Sequence, residues 1–175
     1  MVFAKAIDLK RLAALSQWDR IILTMIITCL MPLALHAIAF IDSPELGMRW
    51  LPMYYAPLMA SILFRPHVVV IVGLCAPLFN HVLFGMPPER VMPGMMFELV
   101  VSGVIFTLLS QRIRVRAWHV IPAFILVRGV SLLIFSGTPQ GFVDQLMRSL
   151  MTAWPGVLVL AVVAEVAGRC AGRSQ

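Results

Sequence analysis

Six long apolar stretches follow one another along the chain, and they constrain its fold more than any other feature. They occupy residues 21–40, 47–64, 67–84, 91–110, 117–136 and 148–167. A helix needs about 20 predominantly apolar residues to cross the hydrocarbon core of a bilayer, and fewer where loops dip inward. The pattern therefore predicts an all-α integral membrane protein, a compact bundle of six transmembrane helices.

The composition agrees with lipid as the solvent of this chain. Of its 175 residues 61% are hydrophobic and 13% charged, whereas soluble domains are about half apolar and about a quarter charged. A chain of this length cannot hide so much apolar surface in one core of its own. A soluble enzyme, a disordered tail and a nucleic-acid-binding module are therefore excluded.

Prolines and charges divide the chain further. Pro52 and Pro57 interrupt the second stretch and predict a kinked helix, and only Arg65-Pro66 separates it from the third, which predicts a tight antiparallel hairpin. Residues 1–20 mix apolar and basic side chains and predict an amphipathic cytoplasmic segment. Residues 21–168 form the predicted six-helix substrate-binding domain, and 169–175 form a cytoplasmic tail.

The basic residues set the predicted orientation. With the N-terminus inside, ten of the fourteen lie on the cytoplasmic side: Lys5, Lys10, Arg11, Arg20, Arg65, Arg112, Arg114, Arg116, Arg169 and Arg173. The outer side holds Arg49, Arg90 and Arg148, and Arg128 lies within the fifth stretch. The positive-inside rule then predicts that both termini are cytoplasmic and that the protein spans the inner (cytoplasmic) membrane several times.

Two charges inside the stretches lie at matching depth. Glu98 and Arg128 are on antiparallel neighbours, each about 10–12 Å below the outer surface. A charge facing lipid at a helix centre costs about 2.5–3.5 kcal/mol, so both side chains are predicted to point inward and to pair. Two interpretations stay open: an ion pair that clamps the fourth and fifth helices, or a charged wall of a ligand pocket.

Other polar and aromatic residues also concentrate in the outer half: His36, Tyr54, Tyr55, Asn80, His81 and Trp154. The inner half carries hydroxyl groups and no charge except Glu165, which is predicted to pair with Arg169 at i+4. This asymmetry is unlike a continuous pore. It favours a pocket that opens to the outside and is sealed below, as solute capture requires.

The sequence contains no recognisable catalytic motif: HExxH, GxSxG and P-loop motifs are all missing from it. His36 and His81 on separate helices are a weak indication of a metal site. We therefore predict no enzyme activity, no catalytic residues, no metal and no cofactor.

Several short motifs resemble the substrate-binding S components of energy-coupling-factor (ECF) transporters. They are Arg65-Pro66-His67, Ala76-Pro77, Asn80-His81, Gly85-Met86-Pro87-Pro88, Glu98-Leu99 and Trp154-Pro155-Gly156. The resemblance covers roughly residues 50–165. It implies a six-helix protein that binds a vitamin or related micronutrient in its extracellular half and associates with a transmembrane coupling subunit and two cytoplasmic ATPases.

Under this interpretation Asn80, His81 and His36 line the substrate site with the two charges. Arg128 would pair an acidic group of the ligand, and Glu98 would balance Arg128 or accept a ligand donor. Tyr54, Tyr55 and Trp154 would stack against a ring.

The alternative is a structural membrane protein of the MreD type, a scaffold in cell-wall elongation. Its outer polar groups would only join helices, and its Arg112–Arg116 loop would bind a partner. A ligand-sized outer cavity separates the two functions, since a scaffold does not need one.

Overall fold

The computed structural model describes residues 15–39, 48–113, 115–135 and 141–171, and these ranges are helical without any strand. The helices are α1 Gln17–Ala39, α2 Pro52–Leu63, α3 Pro66–Phe84, α4 Met92–Arg112, α5 Ala117–Phe135 and α6 Phe142–Ala171. The all-α prediction is therefore confirmed for the described ranges. Most of the predicted amphipathic segment (1–20) and of the tail (169–175) lies outside them.

The helix boundaries follow from local sequence signals. Ser16 caps α1, because its Oγ accepts a hydrogen bond from the Asp19 amide (3.2 Å) while the Asp19 carboxylate accepts one from the Ser16 amide (3.2 Å). Pro66 occupies the first turn of α3, where its missing N–H costs nothing. Gly85 ends α3 with φ of 70°, a left-handed conformation that suits glycine.

Five helices, α1 and α3 to α6, are long and apolar enough to cross a membrane, which indicates a multi-pass membrane protein. The remaining predicted span, the second one at 47–64, is shorter than expected. Helix α2 has 12 residues and is about 18 Å long, against about 30 Å for the hydrocarbon core. Residues 48–50 are also helical, but Leu51 breaks the run with φ of 51°. In contrast, α6 is longer than predicted: it has 30 residues and begins at Phe142, six residues before the predicted start at 148.

The outer surface of the bundle is apolar and several polar residues are buried, the reverse of a soluble protein. Large side chains such as Ile22, Leu126 and Val162 are 54%, 61% and 62% exposed. The buried polar residues are Thr24, Thr28, Ser61, Asn80, Glu98, Thr107 and Ser131. Exposed apolar surface of this extent is stable in lipid and aggregates in water.

Two clusters of buried apolar side chains hold the helices together, and α2 belongs to both. The first joins α2 to α4, α5 and α6 and includes Leu58 and Phe106. The second joins α2 to α1 and α3 and includes Met53 and Val69. Met95 on α4 packs against both clusters. Nine of the twelve residues of α2 are buried, so this short helix forms the centre of the bundle.

Glycines bring α3 and α4 into close antiparallel contact. A Cβ on Gly73 would lie 3.0 Å from Val100 Cγ2, and a Cβ on Gly103 would overlap Val69 Cγ1 and stand 3.1 Å from Val69 Cβ. Small residues at such positions allow backbones to approach and maximise packing in a membrane. These two contacts also fix the register: residue 69 faces 103, and residue 73 faces 99–100.

Several contacts bring the predicted cytoplasmic helix ends together. The Arg20 guanidinium lies 5.3 Å from the centre of the Phe64 ring, which joins the start of α1 to the end of α2. Ser110 Oγ donates a hydrogen bond to the carbonyl of Ser61 (3.4 Å), which joins the ends of α4 and α2.

The C-terminal part of α6 joins the same end of the bundle. Glu165 accepts hydrogen bonds from the Ala117 amide (3.2 Å) and from Arg169 Nε (2.9 Å), so its predicted pair with Arg169 is confirmed. The bundle therefore gathers these cations at one end: Arg20, Arg65, Arg112, Arg116 and Arg169. Arg49, Arg90 and Arg148 lie toward the other.

Candidate functional site

The polar centre of the bundle is the carboxylate of Glu98, which is 2% exposed. It lies on the face of α4 that also carries Gly94 and Ser102, at i−4 and i+4. Its Oε2 accepts a hydrogen bond from the hydroxyl of Tyr54 on α2 (2.5 Å). Arg128 Nη1 on α5 donates to both carboxylate oxygens, at 2.7 Å to Oε1 and 2.9 Å to Oε2. The predicted Glu98–Arg128 pair is confirmed.

Arg128 extends the network to a fourth helix. Its Nε donates a hydrogen bond to Ser149 Oγ on α6 (2.7 Å). The Arg128 side chain is 21% exposed, against 3% for that of Glu98. We call Tyr54, Glu98, Arg128 and Ser149 the four-helix network, since each comes from a different helix. Charge-assisted hydrogen bonds of this kind are about twice as strong as neutral ones and fix the relative positions of the helices.

The environment on the inner side of Tyr54 is apolar. Its ring meets that of Phe124 edge to face, with centroids 6.2 Å apart. Beside it lies a cavity of about 20 Å³ between α2, α4, α5 and α6, lined by residues such as Pro57, Ser102 and Leu160. That is room for about one water molecule, whereas ligand pockets have about 300–1,000 Å³. This cavity cannot hold a micronutrient without side-chain movement.

Asn80 is a second buried polar group, 2% exposed and separate from the network. Its Nδ2 lies 3.6 Å from the thioether sulfur of Met53, a weak acceptor. Its Oδ1 is buried and accepts no hydrogen bond from the described residues. Such an orphaned carbonyl costs about 1–3 kcal/mol and points to a missing donor.

His81, next to Asn80 in the last turn of α3, contacts the loop that follows the helix. Its Nδ1 lies 2.8 Å from the carbonyl oxygen of Pro87, and its Nε2 lies 3.8 Å from an Oε1 of the exposed Glu89. These contacts tie the end of α3 to the 85–91 connection. They place the imidazole with the loop, apart from the four-helix network.

The remaining predicted site residues do not join the network. The Tyr55 hydroxyl donates a hydrogen bond to the carbonyl of Trp50 and so supports the segment before α2. Trp154 on α6 is 57% exposed on the apolar surface. His36 lies on α1, and its side chain is outside the described part of the molecule.

Two contributions to the network are not in the sequence interpretation. Ser149 was not assigned to the site, and the hydrogen bond from the Tyr54 hydroxyl to Glu98 was not predicted. A signal for Ser149 exists in the sequence: Ser149, Ala153 and Gly156 repeat at i, i+4 and i+7, a small-residue face typical of helix contact. The buried Gly156 of that face packs against the backbone of Trp50.

Within the described ranges, no group of three or more His, Cys, Asp or Glu side chains is arranged to hold a metal ion. Comparison with protein families, curated proteins and solved structures gives no significant match for this chain.

We expect Tyr54→Phe to lower the free energy of unfolding by about 2 kcal/mol, because it removes a hydrogen bond to a buried charged acceptor. Tyr55→Phe is the matched control: it removes a hydroxyl on the next residue that bonds to a neutral carbonyl, and should cost about 1 kcal/mol or less. Reversible unfolding in mixed lipid–detergent micelles measures both values. Equal losses would contradict the charged hydrogen bond of Tyr54.

Proposed function

We propose that the chain is the substrate-capturing S component of an ECF-type uptake transporter, with six membrane passes and both termini in the cytoplasm. The observation that carries the proposal is the four-helix network, a buried polar centre to which α2, α4, α5 and α6 each contribute one side chain. Buried ionisable residues within membrane-spanning helices are costly and commonly mark solute or ion sites.

The position of the network supports capture from the outside. Five described arginines gather at one end of the bundle, and under the positive-inside rule we take this end as the cytoplasmic side of the inner membrane. Glu98 follows the opposite end of α4 by six residues, and Arg128 precedes the corresponding end of α5 by seven. Both lie about 10 Å below the outer surface.

The inner half supports a closed floor below the site. Its buried hydroxyls on Thr28, Ser61 and Thr107 donate hydrogen bonds to backbone carbonyls of their own helices, at 2.6–2.9 Å. These groups are therefore satisfied locally and offer a solute no polar path. Energy for release inward would come from a coupling subunit and two ATPases, because this chain has no Walker motif.

The decisive test is chemical extraction of the detergent-purified protein, followed by mass spectrometry. We expect a stoichiometric vitamin-like small molecule from the wild-type chain. The double variant Glu98→Gln/Arg128→Met, which removes both charges together and leaves no buried ion alone, should be folded and yield none. An equal amount of the same molecule from both proteins would contradict the assignment of the site to the network.

A second function, the MreD-like scaffold, is supported by one specific observation. The cavity beside Tyr54 has room for about one water, and both oxygens of Glu98 are already paired within the protein. A network that serves only to join helices requires nothing more. A ligand-free extract, together with a co-purifying cell-envelope protein, would favour the scaffold.

A further inference from the structure

The start of α5 is fastened to the C-terminal part of α6. The amide of Ala117, the first residue of α5, donates a hydrogen bond to Glu165 (3.2 Å). A Cβ on Gly168 would overlap the carbonyl oxygen of Val115, so the two backbones are in direct contact there. Val115 itself is only 1% exposed. Because these contacts hold the two helix ends together, the side chains that surround them form one defined surface.

Two arginines flank Glu165 on this surface. Arg169 Nε donates a hydrogen bond to its Oε1 (2.9 Å), and the positive charge of Arg116 also acts on the carboxylate. Both arginines are exposed, and no Nη atom of either donates a hydrogen bond to a described residue. Two guanidinium groups and one carboxylate therefore leave one net positive charge and several unused N–H donors.

An apolar surface adjoins these charges. Trp118, directly after Ala117, is 64% exposed, and its ring stacks on that of His119 with the centroids 3.7 Å apart. Exposed tryptophan is typical of the headgroup level of a membrane. Exposed apolar side chains continue from this level along both helices, at Ile121 and Ile125 on α5 and at Val162 and Val166 on α6. The surface thus combines a basic part with a long apolar part.

We infer that this surface binds an anionic phospholipid, whose phosphodiester pairs with Arg116 and Arg169 and whose acyl chains lie along the apolar sides of α5 and α6. The planar guanidinium fork matches phosphate oxygens, and a lipid with one net negative charge balances the one net positive charge. A soluble phosphate ester would leave the apolar part uncovered. The inference is independent of the capture function, since it involves no residue of the four-helix network.

Native mass spectrometry of the detergent-purified chain measures the affinity of the first bound lipid. Dioleoylphosphatidylglycerol is compared with dioleoylphosphatidylcholine, which has the same acyl chains and no net charge. We expect the wild-type chain to bind the anionic lipid about tenfold more tightly, the factor of one charge-assisted hydrogen bond. This preference should disappear in Arg116→Gln/Arg169→Gln. A preference that survives in this variant would overturn the inference.

The matched control is Arg65→Gln/Arg112→Gln. It removes two positive charges from the same end of the bundle, but neither of these arginines acts on Glu165. We expect the tenfold preference to remain in this variant. An equal loss of preference in both double variants would overturn the inference, because it would show a diffuse attraction to the whole basic end.

Glu165→Gln gives a change that misfolding cannot imitate. The amide oxygen can still accept the hydrogen bond from Ala117, but the carboxylate no longer competes with phosphate for Arg169. The preference for the anionic lipid should therefore increase severalfold, and a decrease would contradict the role of Arg169. Glycerol 1-phosphate, added at the concentration of the lipid, should not displace it. Displacement would identify a free phosphate ester as the ligand and overturn the lipid assignment.

Discussion

Arg128→Met should lower the free energy of unfolding by about 3–5 kcal/mol, the largest loss expected for a single substitution in this protein. The variant removes two hydrogen bonds from Glu98 and leaves its carboxylate 2% exposed, with Tyr54 as the partner that remains. An uncompensated ion in a low-dielectric interior is costly, and the apolar methionine cannot replace the lost donor. Unfolding in mixed micelles at neutral pH measures the loss.

The control for this prediction removes both charges. Glu98→Gln/Arg128→Met has no buried ion, so it should regain most of the lost stability, as replaced ion pairs in other proteins do. A second control is Arg169→Ala, which breaks the exposed pair with Glu165 (2.9 Å) and should leave stability nearly unchanged because solvent screens the pair. Equal destabilisation by the single and double variants would show that the ion pair itself, rather than the orphaned charge, stabilises the fold.

The pairing of Glu98 with Arg128 could be predicted from the sequence for a simple physical reason. The thickness of the bilayer converts residue number into depth, at about 1.5 Å per residue, so two opposite charges at one depth on antiparallel neighbours have little alternative to pairing. The same reasoning found the pair between Glu165 and Arg169, where helical periodicity alone brings the side chains together. Both predictions needed only one-dimensional geometry.

Other parts of the site depend on rotation about helix axes, which depth does not determine. Tyr54 and Tyr55 are adjacent in sequence and equally aromatic, yet only Tyr54 faces Glu98, while Tyr55 bonds to Trp50. Trp154 stands at the expected depth but on the lipid-facing side of α6, where it is 57% exposed. The face that a helix presents is decided by its packing against all neighbours, and hydropathy carries little of that information when every face is apolar.

Hydropathy also could not predict the length of α2. The predicted span 47–64 is apolar apart from a few residues such as Arg49 and Ser61, and composition alone could not decide where its helix begins. In the structure α2 begins at Pro52, directly after the left-handed Leu51. A short helix buried by four neighbours needs no lipid-facing surface, so its composition resembles a span although its position is that of a core element.

The close packing of α3 against α4 leads to the second large effect. Gly103→Ala should destabilise the protein by about 3 kcal/mol, because the new Cβ would overlap Val69 Cγ1. Val69 is fully buried and β-branched, so it has few alternative rotamers with which to give way. To relieve the overlap, α3 would have to move away from α4. This movement would disturb the second apolar cluster, to which Val69 belongs.

Two matched variants make this prediction specific. Val69→Ala/Gly103→Ala restores the space and should be more stable than Gly103→Ala alone, although it loses two methyl groups from the core. Gly129→Ala lies in α5, where the nearest side-chain atom to the new Cβ is 3.9 Å away, so the better helix propensity of alanine should make this variant neutral or slightly stabilising. The free energies of unfolding of Gly103→Ala and of the two matched variants, measured in the same micelles, test this prediction. A Gly103→Ala variant as stable as Gly129→Ala would mean that α3 and α4 are not held at this distance.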